Sequence, residues 1–446
     1  MRRDLIKSWA GTVTRPRARL EVLRLEDRSV PSGFQQTNLV SDLPDVAQIT
    51  DPKLVNAWGV SYGPTGPFWV SDNGAASATL YQGDSPARPA FTKNPLEVSI
   101  PSADPGGSLP TGQVFNNSGS ATDFQVPTTT RPASFIFASQ TGEISAWNGG
   151  AQAHVAATVA GGSFTGLAIG KVGAANYLYA ADFGHHDIAV FDGQFHTATL
   201  AGSFSDPAMP HSYAPFNVQN LGGKLYVMYA QIDHKSPSNE SDRGAGFVDV
   251  FDTSGNLLQR LVSGNHLNAP WGIAVAPGDF GEFSNDLLVG NFGNGHIQAF
   301  DPTTGGFLGE MKDAAGRPVV IDGLWALIFG NGGSGGATNA LYFTSGPDDE
   351  THGLFGKLTV ADPAGASGFL APNAVTAAAP ADPGGPGPQA HTVATPQPAA
   401  DAAGVTPAPA AGPANIDPTG PAPAAGAAVA ADGVTPDDPL GGPLVG

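Results

Sequence analysis

Short apolar runs alternate with turns rich in Gly, Asn and Asp along the middle of the chain, and the runs recur in a fixed order. A small apolar segment opened by a Gly-containing motif is followed by a second apolar segment, a polar turn, and an aromatic-rich third segment. Three copies show the order well. They are Trp58-Gly59-Val60 with Phe68-Trp69-Val70-Ser71-Asp72 and Thr79-Leu80-Tyr81; Gly166-Leu167-Ala168-Ile169 with Tyr177-Leu178-Tyr179-Ala180-Ala181-Asp182 and Ile188-Ala189-Val190-Phe191; and Trp271-Gly272-Ile273-Ala274-Val275 with Leu287-Leu288-Val289-Gly290-Asn291 and Ile297-Gln298-Ala299-Phe300. Runs of this length bounded by turn residues read as strands.

A fourth copy runs from Pro215-Phe216-Asn217-Val218 to Phe247-Val248-Asp249-Val250-Phe251, and a fifth from Gly323-Leu324-Trp325-Ala326-Leu327 to Leu354-Phe355-Gly356-Lys357-Leu358. A degenerate sixth is built on Gly112-Gln113-Val114-Phe115 and Ser134-Phe135-Ile136-Phe137. Taking Gly59, Gly112, Gly166, Asn217, Gly272 and Ala326 as equivalent points, the units repeat every 51 to 55 residues. The pattern predicts an all-β chain folded as a single six-bladed β-propeller over residues 34–360. A pair of β-sandwiches is the competing architecture, and the even spacing disfavours it. The last unit lacks a fourth strand, while Gln36-Thr37-Asn38-Leu39-Val40 precedes the first unit with nothing of its own to pair with. That N-terminal strand is expected to close the ring, because an open ring leaves sheet edges exposed.

The ends of the chain differ from the middle. Residues 1–33 form a basic leader, with eight Lys/Arg against four Asp/Glu, and read as a targeting segment although they lack the uninterrupted apolar core of a conventional signal peptide. Residues 361–446 hold 17 of the 40 prolines amid Ala and Gly, with seven Asp and no Lys or Arg. Such a tail cannot bury enough apolar surface to offset the entropy of ordering, so disorder and a spacer role are expected there. The net charge of −19 leaves −16 on the middle and argues against a nucleic-acid partner. The absence of cysteine excludes disulfides, thiol chemistry and cysteine-ligated zinc. No apolar run is long enough for a transmembrane helix. A monomer, exported to the cell surface or beyond, is the expectation.

In a four-stranded blade, the turn between the second and third strands and the connection into the first strand fall on one face of the ring. That face is predicted to gather Asn56 and Trp58, Asp72 and Asn73, Asp182, His185 and His186, Asp233 and His234, Asn268 and Trp271, Asn291, Asn294 and His296, Asp322 and Trp325, and Asp348, Asp349 and His352, with Asn217 at the equivalent point of the fourth unit. Convergent Asp, Asn and His around a central funnel suit a hard cation or a sugar-like ligand. Blander roles compete at each position. Asp and Asn beside Gly commonly bond their own backbone in a tight turn. Large aromatics at a repeat position commonly pack between blades, although Trp58, Trp271 and Trp325 could also form a stacking platform. Neighbouring His185 and His186 point to opposite faces if they sit on a strand, which makes a shared ion difficult. The insertion Gln231 to Arg243 is the longest second-to-third-strand turn, a usual place for recognition.

Two stretches carry a resemblance. Asn38-Leu39-Val40-Ser41-Asp42, Asp51-Pro52-Lys53-Leu54-Val55-Asn56-Ala57-Trp58-Gly59 and Pro67-Phe68-Trp69-Val70-Ser71-Asp72-Asn73-Gly74, with Gly246-Phe247-Val248-Asp249-Val250-Phe251-Asp252, resemble a family of uncharacterised bacterial proteins akin in fold to the NHL-repeat and gluconolactonase-like propellers. Leu20-Glu21-Val22-Leu23-Arg24-Leu25-Glu26-Asp27-Arg28-Ser29-Val30-Pro31-Ser32 resembles the N-termini of exported planctomycete proteins. The resemblance implies the propeller and no activity. A non-enzymatic binding module at the cell surface, for an unidentified ligand or protein, is one expectation. The other is a hydrolase or lactonase using one divalent cation, calcium or zinc, to polarise a carbonyl and activate water. Gluconolactonase-like enzymes supply a metal-binding Glu from a first inner strand. Here Asn56-Ala57-Trp58-Gly59 has none, which leaves Asn56, Asn217 and Asp322 as the candidate cation ligands.

Overall fold

A computed structural model describes residues 33–104, 106–232, 246–264 and 266–361. The basic leader, the tip of the long insertion with Asp233 and His234, and the Pro/Ala/Gly-rich tail lie outside the described residues. The rest is β-structure arranged in six sheets, each one blade of a propeller.

The chain begins with β1 (Phe34–Ser41) and the short β2 (Ile49–Thr50). Blade one follows as β3 (Ala57–Ser61), β4 (Phe68–Asp72), β5 (Ser77–Gln82) and β6 (Thr92–Ser99). Blade two is β7 (Pro110–Phe115), β8 (Phe135–Ser139), β9 (Glu143–Trp147) and β10 (His154–Thr158). Blade three has three strands, β11 (Phe164–Val172), β12 (Ala175–Asp182) and β13 (Asp187–Phe191). Blade four is β14 (Tyr213–Leu221), β15 (Lys224–Gln231), β16 (Phe247–Asp252) and β17 (Leu257–Ser263). Blade five is β18 (Pro270–Val275), β19 (Leu287–Asn291), β20 (Ile297–Phe300) and β21 (Phe307–Glu310). Blade six is β22 (Leu324–Phe329), β23 (Leu341–Ser345) and β24 (Leu354–Val360), completed by β1.

The closure expected from the sequence is present. β1 runs antiparallel to β24 from Phe34 opposite Val360 to Ser41 opposite Leu354, with a bulge between Asn38 and Val40. The outer strand of the last blade thus comes from the start of the chain, so the ring cannot open without breaking that ladder. Phe34 anchors the strand by packing its buried ring on Phe280 and Phe283 of blade five.

Blade three departs from the repeat. Its fourth strand is replaced by an irregular segment that touches β13 through Ala198 N–H donating to Val190 O. Phe204 holds that segment down between Tyr179 and Phe251. The core is otherwise a set of layers between blades: Ile188 and Val190 of blade three, for example, meet Val227, Tyr229 and Phe251 of blade four.

One local device recurs at the centre. In every inner strand the pairing with the second strand slips at the same point, between Ala57 and Val60, Pro110 and Gln113, Phe164 and Gly166, Pro215 and Asn217, Pro270 and Gly272, and Leu324 and Leu327. A bulge inserts an unpaired residue and re-aims its side chain. Here it falls at Trp58, Thr111, Thr165, Phe216, Trp271 and Trp325. The glycine that follows lets neighbouring blades meet backbone to backbone. A Cβ on Gly112 would lie 2.4 Å from Leu167 N, and one on Gly59 would lie 2.4 Å from Thr111 O. The repeated Gly of the sequence is therefore a spacing requirement between blades.

Candidate functional site

The ring has two mouths of opposite character. On the connection face, where the chain enters each inner strand, the bulged aromatics converge. Trp58 stacks on Trp325 with ring centroids 3.6 Å apart, and Phe292 stacks on the same indole at 3.9 Å. Trp271 meets Trp325 edge-on at 5.9 Å, and Phe216 lies at 5.8 Å. Trp325 is 1% exposed, Trp58 2% and Trp271 5%. These rings form a plug across the mouth and leave no open face for a sugar to stack on. The plug is pinned by Trp325 Nε1 donating to Asn56 Oδ1 at 2.9 Å and by Trp271 Nε1 donating to Thr165 O at 3.0 Å.

The polar residues predicted for this face do sit around the plug, bonded to the protein itself. Asn56, in the left-handed region at φ 47°, donates through Nδ2 to Glu350 Oε2 at 2.7 Å and to Asn73 Oδ1 at 3.3 Å. Asn73 in turn donates to Pro110 O and Gln140 Oε1 of blade two. Asp72 accepts from Thr79 and Ser77, and burial pushes its carboxyl well above the usual carboxylate range. Asp182 Oδ1 accepts from the amides of Ser163, Gly184 and His185, and its other oxygen holds His185 Nδ1 at 2.8 Å. That hydrogen bond raises the pKa of the exposed His185 imidazole. Asn291 bridges Asn268 N and His266 O, and His296 pairs with Glu310. Asp322 is exposed and accepts from Asp348 N, and His352 is bonded to Asp42.

Asn56, Asn217 and Asp322, the candidate cation ligands, therefore serve three separate bonding sets. Asn217 donates to Trp271 O at 2.8 Å and accepts from Val218 N, while Asn56 holds Trp325 and Asp322 holds Asp348. Among the described residues no group of three His, Asp or Glu is arranged to hold a metal ion.

The opposite mouth is open. On the hairpin face, where inner strands turn into second strands, a cavity of about 710 Å³ runs down the axis to Trp271 and Asn217. Its walls come from β3, β7, β11, β14, β18 and β22, including Val60, Ser61, Gln113, Ile169, Lys171, Gln219, Asn220 and Ile328. A second hollow of about 480 Å³ shares Tyr62, Gln219, Asn220, Leu327 and Ile328 and extends over Val275, which is 44% exposed. Of the residues singled out from the sequence, Asn217 and Trp271 line this lumen. The other site residues expected from the sequence gather toward the plugged end. Polar side chains inside otherwise apolar first strands, Ser61, Gln113, Gln219 and Asn220, are the sequence signal for the open mouth.

The lumen's deep amides are fixed. Gln113 Nε2 donates to Gly59 O and Trp69 O, both at 3.0 Å, while its Oε1 accepts from Ser61 Oγ. Tyr62 donates to Phe329 O, and burial pushes its phenol up to about 12, so it stays protonated. Lys171 is exposed at the rim and is the one formally charged side chain on the described lining.

No family model matches the chain. It is 32% identical over 335 residues to the uncharacterised protein R648 of Acanthamoeba polyphaga mimivirus, across 72% of this chain and 78% of that protein. It is 31% identical over 347 residues to protein L690 of the same virus, across 74% and 87%. These relatives correct the expected kinship with an exported bacterial family: the shared body is carried by giant-virus proteins. The dozen residues that suggested planctomycete export belong to the leader, which lies outside the described residues. Among solved structures, virginiamycin B lyase from Staphylococcus aureus is similar over 73% of this chain and 99% of its own, at 14% identity and a TM-score of 0.42. An α-L-arabinofuranosidase from Fusarium graminearum is similar over 74% and 98%, at 9% identity and a TM-score of 0.48. Likenesses at this level bear on neither site nor activity.

Proposed function

The chain belongs to the family of the mimivirus protein R648, and on that premise we propose that it is a non-catalytic propeller that binds a small molecule in the lumen of its hairpin face. The observation that carries this is the lining. Six inner strands present amides, hydroxyls, aliphatic and aromatic side chains and one ammonium group, and the described lining holds no carboxylate or imidazole. Its other proton-bearing groups are the Tyr62 phenol, held protonated and bonded to Phe329 O, and the Lys171 ammonium at the rim, so the lining favours binding over general acid–base or metal-assisted hydrolysis. A cavity of about 710 Å³ is the size at which proteins take up small ligands.

The test is a ligand screen by thermal shift on the full chain and on Ile328→Trp. Ile328 is half-buried on the cavity wall, so an indole there fills the lumen while leaving the plug untouched. Hits that stabilise the parent and fail on Ile328→Trp support the reading. Hits unaffected by the filled lumen, or turnover of lactone and ester substrates by the full chain, defeat it. Export remains part of the proposal through the leader, and fusing residues 1–33 to a reporter tests it separately. Among the described residues no helix is long and apolar enough to cross a membrane.

A further inference from the structure

The hydrogen-bonding groups left over on the lumen walls point to the chemistry of the ligand. In an antiparallel pair, alternate residues of the inner strand turn both N–H and C=O away from the second strand, toward the axis and the next blade. Three carbonyls on that side are capped by side-chain donors. Gln113 Nε2 donates to Gly59 O at 3.0 Å, Asn220 Nδ2 to Ile169 O at 2.8 Å, and Asn217 Nδ2 to Trp271 O at 2.8 Å. Each bond crosses from one blade to another, and each removes an acceptor from the lumen.

The donors are not matched in the same way. β11 closes on β12 through Val172 opposite Ala175, a register that turns the N–H groups of Ile169 and Lys171 away from β12. Neither N–H meets a main-chain carbonyl among the described residues. Above them stands the Lys171 ammonium, exposed, on a chain whose net charge is −19. At β11 the wall therefore offers two N–H donors and one ammonium group to whatever enters.

We infer that the lumen selects a small oxyanion-bearing ligand, a carboxylate or a phosphate, with its anionic group at Lys171. This rests on the binding reading above and narrows it. Isothermal titration of the full chain at fixed ionic strength with citrate, inorganic phosphate and the neutral polyol xylitol tests it. At least one oxyanion should bind with one-to-one stoichiometry and at least tenfold more tightly than xylitol, and the citrate and phosphate arms identify which group is preferred. Lys171→Ala should lose that tenfold and Lys171→Arg should keep it. Lys53→Ala, which removes an exposed lysine at the opposite face, should change nothing. Xylitol binding as tightly as either oxyanion, with loss in Ile328→Trp, would overturn the anion preference and leave lumen binding standing. Oxyanion binding that is indifferent to Lys171→Ala would also overturn it, as would no binding by any probe; the separate library screen then decides whether the lumen binds ligands at all.

Discussion

Asp249 lies in the middle of β16, is 0% exposed, and has no hydrogen bond to either carboxylate oxygen. Its nearest positive charge is Arg260 on β17, whose Nε is 3.5 Å from Oδ1, too long for a hydrogen bond. Arg260 is engaged elsewhere: it forms an ion pair with Asp206 on the segment replacing the fourth strand of blade three, and its guanidinium covers the Phe247 ring at 4.9 Å. Burial first, and the Asp206 charge second, push the Asp249 carboxyl up to about 7 against an ordinary 3.8, with Arg260 only partly offsetting them. The folded protein thus holds a proton on Asp249 that the unfolded chain releases above about pH 4. Stability contributed by this group is full at low pH, declines as pH rises toward 7, and is gone above it. A shift from 3.8 to about 7 corresponds to ~4 kcal/mol across that window. Asp249→Asn cannot ionise, so it should leave stability unchanged only below about pH 4, raise it by roughly 1–2 kcal/mol at pH 5, and raise it by roughly 2–4 kcal/mol at pH 8. Urea unfolding followed by tryptophan fluorescence at pH 5, 6, 7 and 8 measures the difference. A loss of stability at pH 8 greater than at pH 5 would show that Asp249 works as an ionised partner of Arg260 and would refute the argument.

Other outcomes follow from the same geometry. Phe34→Ala empties a buried aromatic site between β1 and blade five and should cost about 3–5 kcal/mol in urea unfolding; deletion of residues 34–41 should abolish the single cooperative transition, and an unchanged melting profile would disprove the closure. Gly112→Val places a side chain against Leu167 N and should leave little folded protein by circular dichroism, whereas Gly278→Ala, where an added Cβ meets nothing closer than 3.5 Å, should shift stability by no more than about 1 kcal/mol. Because Asn56, Asn217 and Asp322 are bonded to separate partners, mass spectrometry of the full chain purified without chelator should find less than one equivalent of calcium or zinc, with no change in Asp322→Ala; stoichiometric metal lost in that variant would revive the metal-dependent hydrolase.

The architecture was legible because its signals are local and repeated. Apolar runs at even spacing, a Gly or small residue at the same point of each unit, and an orphan strand before the first unit are all readable without knowing where the chain goes. The third blade's missing strand was not, since His196-Thr197-Ala198-Thr199-Leu200 between Gly193 and Gly202 reads as a short strand yet forms only an isolated bridge; Phe204 and Asp206 hold the segment by packing and charge instead. The bonding of the candidate site residues was not legible for a different reason. Asp72, Asn73, Asp182 and Asn291 have the residue types of ligands, and sequence cannot show that Thr79, Pro110, Ser163 and His266 consume their hydrogen bonds. Which mouth is plugged depends on six bulges that turn Trp58, Trp271 and Trp325 toward one axis, a property of strand pairing rather than composition.

The claim that most needs a direct test is that ligand occupies the open lumen and not the plugged face. A crystal structure of the full chain with citrate, or with the strongest hit of the screen, decides it. The account predicts ligand density on the axis between Lys171, Gln219 and Ile328 with the Trp58–Trp325 stack undisturbed. Density at Asp322 and Asp348, or a plug opened to admit the ligand from the connection face, would contradict it.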